Sequence, residues 1–374
     1  MRLRQLSFAA KLFALACAWS TPVRAAENLL INPFAEIDQA NEGGPATLTN
    51  FSSASGRSAD GWVAFYKNDT ATGVTVQQVE DAPVGLKNSV KVTVGTGAKS
   101  VESGDWLMLY QAITPEDMHD LEFGTANAAP VSASFWFKSS LPGTFAFALN
   151  NGPGTRNFTI PFTISMANTW TEIVLPSIPG DVGGNWAPGT HNQGMWFQVT
   201  VAAGSTYQTA GRQWVDGDFI MVPGPTTSLM LTTSGASFQV TGAQLVKGAT
   251  VGPLEHRPFP IEMLLCGSRF QKTYSQGTGI GTPTSIGQRV MVATGQTVYF
   301  NIDFGQPIVR ALRELIVYSP ATGAPGMVRD VTAGVDIPLT SIDDFGDRSA
   351  TLSASGATAG HLYAVQATID ARLY

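Results

Sequence analysis

Cysteine is nearly absent from this chain, which has two in 374 residues. Cys17 lies in a segment with the features of a removable leader, so Cys266 is left without a partner and a disulfide framework is excluded. A catalytic thiol needs a nearby histidine in an open, electropositive site. We therefore expect Cys266 to be a buried, small apolar residue, and stability must come from buried apolar surface.

Charge is also scarce. Asp, Glu, Lys and Arg make up 13% of the residues, and the formal net charge is -6. A nucleic-acid partner would require a basic stripe that replaces phosphate counterions, and the sequence has none. No segment approaches the ~20 consecutive apolar residues that span a bilayer. The sequence therefore predicts neither nucleic-acid binding nor a membrane span.

Motifs for catalysis and metal binding are missing as well. The four histidines are scattered, and the sequence has no His-x-x-x-His pair, nucleophile elbow or phosphate-cradling glycine loop. Asp343 and Asp344 are adjacent, but neighbouring side chains on a strand point to opposite faces and do not form the carboxylate pair of a glycosidase. The sequence predicts a protein that is not an enzyme and has no cofactor.

The first 25 residues have the features of a secretory signal. A basic start precedes a short apolar core at residues 12–19, and small residues end at Ala25. We expect cleavage after Ala25 and a secreted, extracellular or virion location. Two alternatives remain: a leader created by an upstream start codon, and a lipoprotein signal at Cys17, although the apolar run before Cys17 is short.

Strand patterns fill the chain after the leader. Period-two alternation recurs between turn residues, and the abundant glycine and proline (39 and 22 residues) suit tight turns. The clearest segments are 89–94, 131–137, 144–149, 196–201 and 237–245. Short strands at close intervals with few helices favour two antiparallel sheets packed face to face. We predict an all-β chain whose residues 26–253 form a jelly-roll β-sandwich like that of carbohydrate-binding modules.

A helix pattern separates this domain from the rest of the chain. Pro258 and Pro260 suit a helix start, and Ile261, Leu264 and Leu265 follow at helical spacing. We predict a linking helix within residues 254–275 that docks on a sheet through these apolar side chains. Strand patterns resume downstream, so residues 276–374 are predicted to form a smaller C-terminal β-sandwich.

The helix segment also carries a resemblance to known proteins. Glu255-His-Arg-Pro258, Leu265-Cys266 and Arg269-Phe270 resemble a junction found in bacteriophage and prophage tail-fibre-like virion proteins. Further segments fall in that family's order, and the resemblance covers roughly residues 28–374. These segments include Asn28-Leu-Leu-Ile-Asn-Pro-Phe34, Ala59-Asp-Gly-Trp62, Ser134-Phe-Trp-Phe137 and Val317-Tyr-Ser-Pro320.

The resemblance implies a structural role and several partners. Proteins of this family assemble with other virion proteins, and their distal domains often form homotrimers or face the host surface. A cell-surface glycan is the implied ligand. An export signal is a departure from the family, and it keeps a secreted location open.

Aromatic residues indicate where a glycan would bind, because flat rings stack on the apolar faces of sugars. The candidates are Trp62, Tyr66, Trp106, Tyr110, Trp186, Trp196 and Trp214. Trp186 is the best candidate, because it lies in a glycine-rich loop where we expect it to be exposed. Trp136 and Trp170 are better explained by packing.

The loop that holds Trp186 also offers oxygen ligands. Asp181 and Asn185 would join Trp186 in a glycan site, and their oxygens also suit a Ca²⁺ ion. Their spacing matches no dedicated calcium loop such as the EF-hand. The alternative interpretation of this loop is structural: the Trp186 ring folds back over the sheet edge and anchors the loop.

Three functions from different classes follow. The leading hypothesis is a non-enzymatic, phage-derived tail-fibre-like protein that contributes structure and binds a glycan. The second is a secreted bacterial carbohydrate-binding protein, favoured by the leader. The third is a glycan depolymerase, which requires acids that cluster in a groove.

Overall fold

Residues of alternating polarity give this chain its strands, and helices are few. The computed structural model describes residues 27–52, 56–187, 189, 192–308 and 314–372. The predicted leader and its cleavage site lie outside the described residues. Within them the protein is almost entirely β, which confirms the predicted fold class. None of the helices described is long and apolar enough to cross a membrane.

The N-terminal region is a sandwich of two six-stranded antiparallel sheets. Its described strands are β1 (Ala46–Thr47), β2 (Val63–Lys67), β3 (Thr75–Val79), β4 (Ser89–Thr93), β5 (Trp106–Ile113), β6 (Val131–Ser139), β7 (Gly143–Asn151), β8 (Arg156–Ile164), β9 (Thr171–Ile178), β10 (Met195–Ala203), β11 (Trp214–Asp216) and β12 (Ser237–Lys247). The first sheet has the order β1-β3-β4-β12-β6-β9, and the second has the order β11-β8-β7-β10-β5-β2. This arrangement agrees with the predicted jelly roll.

Phenylalanine fills the core between these two sheets. Phe135 and Phe137 point inward from β6, and Phe145 and Phe147 face them from β7. The ring centroids of Phe147 and Phe197 are 4.9 Å apart. Because each such side chain contributes about 1.5–3 kcal/mol when fully buried, the two sheets depend on this shared apolar layer.

The described α-helices are α1 (Leu229–Thr232) and α2 (Phe259–Gly267). Helix α2 lies inside the predicted linking segment, but the chain has returned to strand by Phe270. Its orientation contradicts the prediction, because Ile261 and Leu264 are each 47% exposed. Glu262 and Cys266 are buried instead. The expectation that Cys266 is a buried residue is confirmed.

Charged groups hold α2 in the orientation that buries Glu262. The Glu262 carboxylate accepts a hydrogen bond from the backbone N–H of Asn32, and it lies 3.2 Å from the Arg257 guanidinium. Arg257 also donates to the backbone carbonyl of Leu30, at 2.9 Å. Charge-assisted bonds of this kind are roughly twice as strong as neutral ones. The side of α2 that carries Glu262 therefore faces the protein, and Ile261 and Leu264 are exposed.

The C-terminal region contains the remaining strands and a second core. These strands are β13 (Phe270–Lys272), β14 (Arg289–Val292), β15 (Thr297–Asp303), β16 (Glu314–Tyr318), β17 (Met327–Asp330), β18 (Val335–Pro338), β19 (Ser341–Asp343), β20 (Ser349–Ser355) and β21 (Leu362–Asp370). Strand β21 pairs with β13, β14, β16 and β17, whereas β15, β20 and β19 form a separate sheet. Phe300, Leu352 and Val365 belong to a core that is distinct from the N-terminal one.

Buried charges join the two regions. Asp370, at the end of β21, accepts a 2.7 Å bond from Arg372 and also pairs with Arg57 of the N-terminal region. Burial opposes ionisation of Asp370, but the two guanidinium groups hold its pKa below the usual range. Nearby, Gln39 donates to the Asp60 carboxylate, at 2.6 Å, and to the backbone carbonyl of Phe270, at 3.1 Å. We call these five residues, Arg57, Asp370, Arg372, Gln39 and Asp60, the junction network.

Asp60 has a different charge state from Asp370. It is fully buried, and this burial raises its pKa to about 7, against the opposing influence of Arg372 and Gln39. Between pH 4 and pH 7 the folded protein therefore holds a proton on Asp60 that the unfolded chain has released. Uptake of a proton on folding makes the folded state less stable as the pH rises through this window.

A protonated, buried Asp60 makes the stability of the folded protein depend on pH. Asp60→Asn should remove this dependence. The free energy of unfolding of the wild-type protein should fall by roughly 2–4 kcal/mol more than that of the variant between pH 4 and pH 7. Urea denaturation at pH 4.5 and pH 8 measures the difference. The exposed Asp343→Asn variant is the control and should follow the wild type. Equal pH dependence in all three proteins would contradict the assignment.

Candidate functional site

The outer face of the second sheet carries a group of polar and aromatic side chains. Phe197, Val199 and Val201 of β10 point into the core, so the alternate residues of that strand point outward. We call this outer surface the amide face. It consists of Trp106, Met108, Tyr110, Ala146, Ala148, Asn150, Asn157, Thr159, Trp196, Gln198 and Thr200.

Strand register places the amides beside each other. Gln198 lies between Tyr110 of β5 and Ala148 of β7. Two residues before Gln198 on β10, Trp196 lies opposite Asn150 of β7, and Asn150 lies opposite Asn157 of β8. Ala148 has a small side chain, and the amides of Gln198 and Asn150 lie on the same face of the sheet.

Two aromatic rings form one side of the amide face. Tyr110 and Trp196 stack with a centroid distance of 4.8 Å and an interplanar angle of 19°. The Trp196 indole N–H donates to Gln193 Oε1, at 2.5 Å, which fixes the ring. Tyr110 is buried and Trp196 is half-buried. The stack presents a flat, partly accessible surface next to Gln198.

A segment of the chain crosses the amide face. We call residues 204–222 the strap. The Phe219 carbonyl accepts a 3.1 Å bond from Thr159 Oγ1, and Asp218 Oδ1 accepts a 3.0 Å bond from Asn150 Nδ2. Farther along, Ile220 and Met221 pack near Trp106 and Met108 in one apolar cluster. The strap leaves Asn150, Asn157, Gln198 and Thr200 with 0% exposure.

Several buried polar atoms of this face lack hydrogen-bond partners. Asn150 Oδ1, Asn157 Oδ1, Gln198 Oε1 and Trp106 Nε1 are all without one in the described part of the chain. An unpaired buried polar atom costs about 1–3 kcal/mol, so such atoms are rare in folded proteins. Their concentration on one sheet face makes the amide face the candidate site for a polar ligand.

The strap also brings a carboxyl group to this face. Burial raises the pKa of Asp218, against the opposing hydrogen bond from Asn150. Burial also raises the pKa of Tyr207, and the negative charge of Asp218 adds to that effect. Asp218 nevertheless remains exposed to solvent at the edge of the strap, and Tyr207 is half-buried.

The structure contradicts the prediction that Trp186 is exposed. Its side chain is 3% exposed, and the indole N–H donates to Asp181 Oδ2 and to the carbonyl of Gly183, both at 3.0 Å. The ring packs edge-on against Phe123 and Trp214, with centroids 5.0 and 5.3 Å away. Trp186 anchors its loop to the sandwich.

The oxygen atoms near Trp186 are engaged by the protein. Asp181 is buried, and both of its oxygens bond to the Arg156 guanidinium, at 2.7 and 2.9 Å. The Asn185 side chain accepts a bond from the N–H of Ala187, and its backbone carbonyl accepts one from Asn151. The described residues contain no cluster of three or more His, Cys, Asp or Glu side chains suited to a metal ion.

The other sequence candidates divide between the core and the amide face. Trp62 is in the core, where its N–H donates to the carbonyl of Asn32, at 3.0 Å. Tyr66 is also in the core, because β2 alternates and turns Phe65 and Lys67 outward. Trp106 lies on the amide face. The structure therefore separates Trp106 from Trp62, Tyr66 and Trp186.

Sequence reasoning missed the amides of this site. Asn150, Asn157 and Gln198 carry the orphaned oxygens, yet they belong to no recognisable motif. A signal was present in the spacing Trp196-x-Gln198-x-Thr200, which places three polar or aromatic residues on one face of a strand. Combining that spacing with the strand order requires contacts between distant parts of the chain, and only the structure supplies them.

Comparisons with known proteins show only distant similarity. No protein-family model matches the sequence, and no curated protein matches it. Three solved structures illustrate the matches. TmCBM61 in complex with beta-1,4-galactotriose is 12% identical with a TM-score of 0.28, covering 59% of this chain and 99% of its own. The family 11 carbohydrate-binding module of Clostridium thermocellum has values of 14%, 0.26, 56% and 98%.

A phage protein is the third structure. The enzymatically active domain of bacteriophage CBA120 tailspike protein 4 is 14% identical with a TM-score of 0.27. The match covers 54% of this chain and 21% of the tailspike chain. All of these values are too low to assign a family, a ligand or a mechanism.

The geometry around Trp186 predicts a structural rather than a binding role. Trp186→Ala should lower the free energy of unfolding by about 3–5 kcal/mol, because it leaves a cavity between Phe123 and Trp214. Trp186→Phe should be milder, because it keeps an aromatic ring and loses the bond to Asp181. Urea denaturation of the two variants tests this expectation. A loss below about 1 kcal/mol for Trp186→Ala is the result expected of an exposed ring.

Proposed function

We propose that this protein is a non-enzymatic, fibre-like virion component that binds a glycan on its amide face. The supporting observation is the set of four buried polar atoms that have no partner in the described residues, of which those of Gln198 and Asn150 lie opposite Tyr110 and Trp196. The sheet supplies a fixed surface for binding, and the second region supplies a structural extension.

Carbohydrate chemistry fits the atoms that are unpaired. Three of the four are amide oxygens, which need donors, and the fourth is the Trp106 indole N–H, which needs an acceptor. Each sugar hydroxyl both donates and accepts, so a sugar ring can satisfy both kinds of atom. The apolar face of a sugar also stacks on an aromatic ring, and Trp196 offers a half-buried one.

Binding at the centre of the face requires the strap to move. The polar contacts between the strap and the amides include the Asp218–Asn150 bond and the bonds to the Phe219 carbonyl. A glycan hydroxyl can replace these partners and also satisfy the oxygens that the strap leaves unpaired. The gain of new bonds at the orphaned atoms favours this exchange.

The structural part of the proposal rests on the junction. The segment that resembles tail-fibre-like proteins includes Phe270, which pairs with Asp370 of β21, and Asp370 forms the ion pair with Arg57 that joins the two regions. A secreted bacterial carbohydrate-binding protein is the alternative with the same site. A depolymerase would need two carboxyl groups across the bound glycan, and Asp218 is the carboxylate seen to bond to an amide of this face.

The test is glycan binding by wild-type protein and by Gln198→Leu. An array of bacterial-surface and plant glycans identifies the ligand, and calorimetric titration of the strongest hit gives its Kd. We expect Gln198→Leu to weaken binding by about tenfold or more, because it removes an acceptor for a sugar hydroxyl. The same variant should lose little stability, because the Gln198 oxygen has no partner in the described part of the chain and the side chain makes one bond there, from Nε2 to Thr200 Oγ1.

Gln239→Leu is the matched control. Gln239 lies on the outer face of the opposite sheet, where it bonds to both Ser89 and Asp81. Its replacement should lower stability without changing the Kd. Absence of binding to any glycan at about 1 mM, or equal affinity for Gln198→Leu, would overturn the site. Release of new reducing ends from the bound glycan would overturn the non-enzymatic assignment.

A further inference from the structure

An aromatic cluster lies at the β2 end of the second sheet. Phe65 and Lys67 of β2 point to the same outer side of the sheet as Trp106 of β5. The Phe51 ring stacks on Phe65, with centroids 5.9 Å apart, and meets Trp106 edge-on at 5.7 Å. Trp106 also packs against Tyr207, at 4.9 Å. We call these five residues the edge cluster.

The Phe51 side chain is open to solvent. It is 63% exposed, whereas the amides at the centre of the amide face are buried under the strap. Its backbone has a φ of 55°, which is uncommon for a bulky residue, and its N–H donates to the Tyr66 carbonyl, at 2.9 Å. Backbone strain of this kind concentrates at ligand-binding sites. A ligand can therefore reach Phe51 without any motion of the strap.

The Lys67 ammonium lies over these rings. Its nitrogen is 5.8 Å from the Phe51 centroid and 5.5 Å from the Trp106 centroid, within the range of cation–π attraction. In the described part of the chain the ammonium contacts rings rather than a carboxylate. A ring attracts a cation without neutralising it, so this half-buried group can still bind an anion.

Carboxylates that are close to the edge cluster in the sequence bond to other groups. Asp105 accepts bonds from Asn68 Nδ2, at 2.7 Å, and from the backbone N–H of Glu102, at 2.9 Å. Asp69 accepts a bond from Asn50 Nδ2, also at 2.9 Å. The ammonium of the edge cluster therefore remains available to a negatively charged ligand.

The carboxylate of the strap is too distant to repel an anion at Lys67. Asp218 bonds to Asn150, which lies in the same row of the sheet as Ala112 of β5. Lys67 lies opposite Trp106, at the beginning of that strand. At about 3.3 Å per residue, the two rows are roughly 20 Å apart, which exceeds the Debye length of about 8 Å at physiological ionic strength.

Trp106 adds a neutral donor to the same cluster. Its side chain is 6% exposed, and its indole N–H has no hydrogen-bond partner in the described residues. An acidic sugar carries acceptor oxygens for this N–H and for the Lys67 ammonium, and its apolar ring face suits Phe51. One class of ligand therefore matches the ring, the cation and the unpaired donor.

We propose that the edge cluster binds an acidic sugar of the glycan, with the sugar ring on Phe51 and its carboxylate on the Lys67 ammonium. A single ammonium matches a single negative charge, whereas recognition of phosphate favours the bidentate guanidinium of arginine. Uronic and sialic acids have this chemistry. The inference rests on the proposed glycan site and names the class of sugar that this site takes.

Calorimetric titration with trigalacturonic acid, a hyaluronan hexasaccharide and sialyllactose tests the proposal. Each is compared with its carboxyl-reduced counterpart, which keeps the sugar rings and lacks the charge. At least one acidic oligosaccharide should bind about fivefold or more tightly than its counterpart. Raising the NaCl concentration from about 0.1 M to about 1 M shortens the Debye length from about 10 Å to about 3 Å, so this preference should shrink.

Lys67→Met keeps a long side chain and removes its charge. It should abolish the preference for the acidic form, while the Kd of the reduced form stays within about twofold of the wild-type value. Lys91→Met is the matched control, because Lys91 is a half-buried lysine on β4 of the opposite sheet. It makes the same change in net charge and should leave the preference intact. Phe51→Asn, which suits a left-handed backbone, should weaken the binding of both forms.

The inference is overturned if none of the three acidic oligosaccharides binds at about 1 mM, if acidic and reduced forms bind equally, or if Lys67→Met keeps the preference. Loss of the preference in Lys91→Met would also overturn it, because the effect would then come from net charge. Equal binding of the two forms leaves the proposed glycan site standing, provided that Gln198→Leu weakens both. Failure of this inference is thereby distinguished from failure of the proposed function.

Discussion

Buried ion pairs hold the two regions of this chain in one arrangement. Asp370 and Arg372 from the end of the chain meet Arg57 from the N-terminal sandwich, and Glu262 meets Arg257 beside Asn32. Breaking a buried pair leaves an uncompensated charge and costs about 3–5 kcal/mol. A hydrogen-bonded ion pair also requires a specific donor and acceptor geometry, whereas apolar contacts are not directional. The two regions therefore keep a fixed mutual position in the structure.

The sequence predicted the architecture because that architecture depends on local periodicity. Period-two alternation located segments such as 131–137 and 196–201, and both belong to strands in the structure. The same reasoning failed at α2. Its apolar spacing indicated that Ile261 and Leu264 are buried, but the partners of Glu262 include Asn32, which lies 230 positions away in the sequence. Local pattern carries no information about such a partner.

The sequence likewise predicted some residues of the candidate site and missed others. Trp106 was identified because aromatic residues are easily recognised in a sequence. Trp186 was wrongly predicted to be exposed, because a glycine-rich loop does not determine the direction of its ring. The amides were missed for a physical reason: Asn and Gln are ordinary on solvent-facing strand positions. They become informative only when a covering segment buries them and leaves their oxygens without partners.

The burial of Cys266 on α2 gives this protein an internal reporter of domain separation. Its thiol is fully buried, and burial raises its pKa, so the nucleophilic thiolate is scarce in the native fold. Alkylating reagents therefore react with the Cys266 thiol only after a motion of α2 or unfolding exposes it. At a fixed reagent concentration the labelling rate reports every opening that exposes Cys266, and a rate above that expected from global unfolding reveals local opening of the junction. The chain thus carries a probe at the boundary of its two regions without any engineered substitution.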